Sequence, residues 1–158
     1  MAVRLFRPLA DTGLAAAQCN LGIAYLRGHG VRRAYGSAAT WFRKAAEQDH
    51  AQAQAMLGAM YYEGRGVPRS CFQAVKWLRK AVEQNSAPAL ALLATMYHRG
   101  DGIPKDPIQA HKWFSLAARL GHRDAAKNRD TVAATMTSAQ VKEARLLARA
   151  WSRSHERP

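Results

Sequence analysis

Apolar residues along the chain fall at helical spacing, and no stretch alternates as a strand would. Ala53, Leu57, Tyr61 and Gly64 step by four, four and three, which places them on one face of a helix. Ala74, Trp77, Leu78, Ala81 and Val82 step by three, one, three and one, a wider stripe able to touch two neighbouring elements. Between the two stripes, Gly64-Arg65-Gly66 supplies left-handed backbone that ends a helix cheaply, and Pro68 stops it from continuing. The segment therefore predicts a helix-turn-helix hairpin.

The hairpin recurs with a period of 36 residues and no gap. Leu21-Gly22-x-x-Tyr25 returns as Leu57-Gly58-x-x-Tyr61 and as Leu93-Ala94-x-x-Tyr97. The turn Gly28-x-Gly30-Val31 returns as Gly64-x-Gly66-Val67 and Gly100-x-Gly102-Ile103. Ala38, Ala74 and Ala110 are followed by Trp41, Trp77 and Trp113, then by Ala45, Ala81 and Ala117. Gly22, Gly58 and Ala94 are expected where neighbouring helices approach closely, and the indoles are expected in the core.

The helix starts differ between copies. Ser70 with Gln73 reads as a capping box, and Asp106-Pro107-x-Gln109 adds proline at the first helical position. Ala34 stands at the equivalent position of the first copy, where loss of the cap predicts about 1 kcal/mol less stability. At the amino end, shifting the period back from Trp41-Phe42 lands on Leu5-Phe6, so residues 2–13 read as a second helix without its first. Full repeats follow at 14–49, 50–85 and 86–121. Residues 122–153 read as a degenerate capping pair: Thr137-Ser138-Ala139-Gln140 forms a capping box ahead of an apolar face of Val141, Ala144, Leu147, Ala148 and Trp151. A short tail at 154–158 completes what is expected to be a single domain.

These residues together resemble the Sel-1-like repeat family, a relative of the tetratricopeptide class with its shorter period. The resemblance rests on A-x-x-x-L-G-x-x-Y-x-x-G-x-G-V followed by A-x-x-W and A-A. Ala94, Val82 and Arg32 are mild departures from it. It implies an all-α fold, a right-handed α-solenoid of stacked helix-turn-helix repeats, acting as a protein-binding scaffold or adaptor of the kind bacteria use in several pathways. It implies no catalytic activity and no cofactor. Some relatives join the two helices of one repeat by a disulfide, but Cys19 and Cys71 belong to different copies, so both are expected to be free thiols.

Chemical motifs add little. The Gly-x-Gly turns hold Arg33, Arg69 and Lys105 where a dinucleotide fingerprint needs a third glycine, and a helix rather than a strand precedes each. The histidines His29, His50, His98, His111, His122 and His155 show no metal-ligand spacing and are expected to be solvated. The acidic residues are scattered without pairing, which gives a two-carboxylate hydrolase no support.

Charge raises a second reading. Among 158 residues, 24 are Lys or Arg and 11 are Asp or Glu, a net charge of +13 that suits an anionic partner. Lys76, Arg79 and Lys80 share a helix face, and the repeat shift adds Arg43, Lys44 and Lys112 to a convex basic stripe. Residues 125–158 alone hold 7 basic against 3 acidic residues. Nucleic acid binding would need exposed aromatics among these charges, and the aromatics are expected in the core, so it is the alternative. The leading expectation is a protein or peptide partner on a concave face built from first helices. Its lining would be Asn20, Ile23 and Arg27, then Met56, Ala59 and Glu63, then Leu92, Thr95 and Arg99. The amino-terminal half repeat, with Leu5, Phe6, Leu9 and Ala10 short of a partner helix, is expected either to favour self-association or to belong to a longer protein. No apolar run is long enough to span a membrane, and Arg4, Arg7 and Pro8 interrupt any secretory stretch. A cytoplasmic location is expected for the chain as it stands, and a periplasmic one if a segment precedes it.

Overall fold

The computed structural model describes residues 2–156, and within them the chain is all α-helix with no strand. The helices are α1 (Ala2–Asp11), α2 (Ala15–Arg27), α3 (Tyr35–Ala46), α4 (Ala51–Glu63), α5 (Cys71–Val82), α6 (Ala87–Arg99), α7 (Pro107–Arg119), α8 (Ala125–Ala133) and α9 (Ser138–His155). The expected hairpins are α2/α3, α4/α5 and α6/α7, preceded by the lone α1 and followed by the α8/α9 cap. Of the expected tail, residues 157 and 158 lie outside the described residues, and α9 runs on to His155. The chain packs as two compact units that divide between Ala81 and Val82.

Turn chemistry explains where the helices stop. Gly28, Gly64 and Gly100 adopt φ of 72°, 69° and 75° and close α2, α4 and α6, each donating its N–H to the carbonyl four residues back. Across each turn the N–H of Ala34, Ser70 or Asp106 donates to the carbonyl of Tyr25, Tyr61 or Tyr97 at 3.0, 2.9 and 3.0 Å, so the hairpin is clamped identically three times. The turns from one copy to the next need a left-handed residue too. Gly13, Asp49, Asn85 and Gly121 stand there, one period apart, with φ of 95°, 60°, 56° and 81°. Asp and Asn are the non-glycine residues that tolerate this region best.

The caps follow the sequence. The Gln73 N–H donates to Ser70 Oγ at 3.2 Å, and the N–H groups of Ile108 and Gln109 donate to the Asp106 carboxylate at 3.0 and 3.1 Å. The Thr137 box is reciprocal, with Gln140 N–H to Thr137 Oγ1 at 3.1 Å and Thr137 N–H to Gln140 Oε1 at 2.9 Å. Ala34 offers α3 no side-chain cap.

In the first unit Cys19, Ala38, Ala39, Phe42, Ala45, Ala46, Ala53, Leu57, Met60 and Trp77 form one core cluster. Ala10, Ala17, Leu21 and Trp41 form a second, against which Val3 and Phe6 of α1 pack. Glycine is required at the close approaches: a Cβ on Gly22 would lie 2.7 Å from Cε1 of Phe42, and one on Gly58 would lie 2.8 Å from Cγ of Leu78. Buried amides tie consecutive copies together. Gln18 Nε2 donates to the Ala10 carbonyl and Gln54 Nε2 to the Ala46 carbonyl, both at 3.2 Å and one period apart. The third copy places the fully buried Leu90 at this position.

In the second unit α6 packs on α7, and α7 on both α8 and α9. Its buried residues include Leu90, Leu93 and Met96 of α6, Trp113, Phe114 and Leu116 of α7, Ala125 and Val132 of α8, and Ala144 and Ala148 of α9. The indoles of Trp113 and Trp151 meet edge to face, 4.9 Å apart at 80°. His155 stacks on Trp151 at 3.7 Å and reaches the Glu83 carboxylate through Nε2 at 3.0 Å, which fastens the end of α9.

Candidate binding surfaces

The nine residues expected on first-helix faces all remain outside the fully buried set. In the first unit Asn20, Arg27 and Glu63 are exposed, while Ile23, Met56 and Ala59 are half-buried. Ile23 and Met56 also pack against the core cluster, so each shares its side chain between surface and interior. In the second unit Leu92 and Thr95 are half-buried and Arg99 is exposed. Thr95 and Arg99 line a cavity of about 170 Å³ with His98, Phe114, Asn128 and Thr131. The Thr95 hydroxyl donates to the Ala91 carbonyl at 3.0 Å.

The basic residues on second helices are largely engaged with aromatic rings. Lys44 lies 4.4 Å from the Trp41 ring, Lys80 lies 5.2 Å from the Trp77 ring, and Lys112 lies 4.0 Å from Trp113 and 5.1 Å from Trp151. Arg43 donates through Nη2 to the Tyr61 hydroxyl at 2.6 Å. Lys76 and Arg79 are exposed. Burial pushes the Lys112 ammonium below its ordinary pKa, and the Glu83 carboxylate opposes the shift. The three repeat indoles are 7 to 8% exposed, so they are core residues whose rims are covered by cations.

The histidines divide. His29 is exposed, and His50, His98, His122 and His155 are half-buried, with His50 Nδ1 accepting from the Ala53 N–H as the cap of α4. His111 departs from the expected solvation, being 3% exposed. The physical reason is its register: one and two periods earlier the position holds Val75 and Ala39, both buried. Burial lowers the His111 pKa first, the charges of Arg129 and Arg145 lower it further, and Asp130 alone raises it. The repeat shift itself was the signal that would have found this residue, because polarity concealed a core position.

Both cysteines are free, Cys19 buried and Cys71 half-buried. Among the described residues no three of His, Cys, Asp or Glu gather closely enough to hold a metal ion, and no helix is long and apolar enough to cross a membrane.

The Sel1 repeat family model matches residues 15–50, 51–86 and 87–122, three successive copies. The chain belongs to the Sel1 repeat family. A Sel1 repeat protein from Oxalobacter formigenes superposes with a TM-score of 0.74 at 35% identity, over 78% of this chain and 49% of that one. The protein c5321, a protective antigen present in uropathogenic Escherichia coli strains and displaying an SLR fold, superposes with a TM-score of 0.75 at 26% identity, over 97% of this chain and 41% of that one. This Sel1 repeat chain thus spans less than half the length of either. No curated protein matches its sequence significantly. Members of the family generally serve as scaffolds for protein–protein interaction, and the helical-repeat fold class is that of the solved relatives.

Proposed function

We propose that this chain is a non-catalytic adaptor that holds a protein or peptide segment on the faces of its first helices. One observation carries the reading: residues at the packing positions repeat in kind, whereas those at the face positions change freely at the same register. Asn20, Met56 and Leu92 are equivalent, as are Ile23, Ala59 and Thr95, and Arg27, Glu63 and Arg99. A surface only partly engaged in packing, through Ile23 and Met56, and of varied chemistry is free to encode a partner, and its half-buried apolar residues supply contact area at small desolvation cost.

A photo-crosslinking residue placed at Ile23, Ala59 or Thr95, in cells of the native host, tests this. Protein adducts at these positions and none at Lys76 are expected. Adducts confined to Lys76, or nucleic acid adducts there, would favour the anionic-surface alternative on Arg43, Lys44, Lys76, Arg79, Lys80 and Lys112. That alternative is less well supported, since Arg43, Lys44, Lys80 and Lys112 already have aromatic partners. Self-association through α1 belongs to the same proposal, because Leu5 and Leu9 are 70% and 48% exposed on a helix whose other side packs on α2.

A further inference from the structure

Within the second unit, three helices converge their cationic side chains on one cavity of about 290 Å³. Arg119 comes from the end of α7, Arg129 from α8, and Arg145 and Arg149 from α9; His111 and Ser115 of α7 line the same wall. Asp130 is the only carboxylate among the lining residues, so four arginines and one negative charge line the cavity. Asp130 is already engaged with Arg129 at 3.0 Å, and Arg119 donates through Nη1 to the Ser152 hydroxyl at 2.9 Å. Arg145 and Arg149 have no hydrogen-bond or ion-pair partner among the described residues. Holding these charges together costs Coulomb energy unless a counter-charge enters.

The ring of His111 is buried at this wall, its Nδ1 3.4 Å from the Ser115 hydroxyl, and the Ser115 hydroxyl donates to the His111 carbonyl at 2.8 Å. The register explains why this position is buried, and the other copies fill it with the apolar Val75 and Ala39, so packing alone does not call for a polar ring. Facing a cavity of guanidiniums, the ring gains a role as a hydrogen-bonding group for an anion.

We propose that this cavity binds a phosphate monoester dianion, either free inorganic phosphate or a phosphoryl group carried on a side chain of a protein partner. Guanidinium forks match carboxylate and phosphate oxygens alike, but donors arriving from three helices surround a ligand rather than meeting one edge. A tetrahedral group with three free oxygens can answer all of them, whereas a carboxylate offers two oxygens in a plane. The excess of three positive charges, four guanidiniums less one carboxylate, favours a dianion over a diester with a single charge. Arg145 and Arg149 also border an adjoining groove of about 630 Å³ with the apolar Ala133, Met136, Val141 and Leu146, room for residues flanking a phosphorylated side chain. The site is separate from the first-helix faces and stands whether or not they bind a partner.

The test is titration of the full chain by nuclear magnetic resonance with inorganic phosphate, with a phosphoserine peptide, and with dimethyl phosphate as the diester control. Saturable shifts are expected at the amides of Ser115, Asp130 and Arg145. Burial lowers the His111 pKa first, and the dianion should move its titration back up by offsetting the charges of Arg129 and Arg145, with Asp130 acting in the same sense and Arg119 and Arg149 also lining the cavity. Arg145→Gln with Arg149→Gln should weaken binding at least about tenfold, while Lys76→Gln in the other unit should leave it unchanged. Both arginines are exposed and make no bond in the fold, so the variant is expected to melt like the parent. Binding of inorganic phosphate alone identifies the free ion as ligand, and binding of the peptide alone identifies the carried phosphoryl group. Equal affinity for dimethyl phosphate, equal weakening by Lys76→Gln, or no saturable shift at the three amides would overturn the proposal.

Discussion

Truncating Trp77 to alanine is the sharpest perturbation of the repeat. The indole is 7% exposed and belongs to the core cluster with Phe42, Leu57 and Met60, so its removal leaves a cavity that the surrounding side chains cannot fully close. Loss of a buried aromatic of this kind costs about 3 to 5 kcal/mol, against a total stability of about 5 to 15 kcal/mol for a natural domain. At about 2 to 4 °C per kcal/mol for a chain of this size, the midpoint should fall by roughly 6 to 20 °C. The cation over the ring contributes far less. Lys80 sits 5.2 Å from the ring centroid in an exposed position, where such a contact is worth about 0.5 to 1 kcal/mol. Lys80→Ala should therefore cost a small fraction of Trp77→Ala, and almost nothing more when added to it, because the partner ring is already gone. Urea and thermal unfolding followed by far-ultraviolet circular dichroism measure all three variants. A Trp77→Ala protein that unfolds with the parent, or a Lys80→Ala protein as damaged as Trp77→Ala, would show that the indole is not a core residue.

Burial pushes the Cys19 thiol up to about 11 from its ordinary 9.0, so at pH 8 it stays protonated. Iodoacetamide should then label the half-buried Cys71 first, with equal labelling rates refuting the assignment. Because the folded pKa is the higher one, this contribution to stability is complete below pH 9 and is lost as pH rises towards 11. Cys19→Ala should flatten that part of the alkaline melting curve. Replacing Leu5 and Leu9 together by Gln should abolish concentration-dependent association in sedimentation velocity, and a parent that stays monomeric at millimolar concentration would refute a role for α1 in self-association.

The period of 36 made most of the fold legible, because every element of a hairpin is set by a local rule that the sequence repeats. Gly64 marks a helix end through its φ, Asp106 marks a helix start through its carboxylate, and Trp77 marks the buried side through its size. What stayed hidden was either polar or non-local. Gln18 and Gln54 look like surface residues, yet each satisfies a carbonyl of the preceding second helix from inside the core. The left-handed turns at Asp49 and Asn85 share a register with Gly13 and Gly121, but three residue types carry one conformation, which composition obscures. The arginine-lined cavity was less accessible still. Arg119, Arg129, Arg145 and Arg149 lie on three helices, and only the packing of α7 against α8 and α9 brings them to one place.

The contrast between repeat and cap explains where anion chemistry can reside. Within the repeats a second-helix lysine has a neighbour built into the motif: Lys44 follows Trp41 by three residues, as Lys80 follows Trp77, and each cation lies over the ring of its own turn. The third copy breaks this, with a buried Leu116 at the equivalent position. Lys112 instead takes the space between Trp113 and Trp151. Trp113 is therefore covered without help from α9 charges, and the arginines of α9 have no ring to cover. Arg145 and Arg149, exposed on α9, keep their full donor capacity, with no hydrogen bond or ion pair among the described residues. Part of the charge on the repeats thus lies over aromatic rings, at Arg43, Lys44, Arg65, Arg69, Lys80 and Lys112, whereas Arg145 and Arg149 of α9 keep their donors for a ligand.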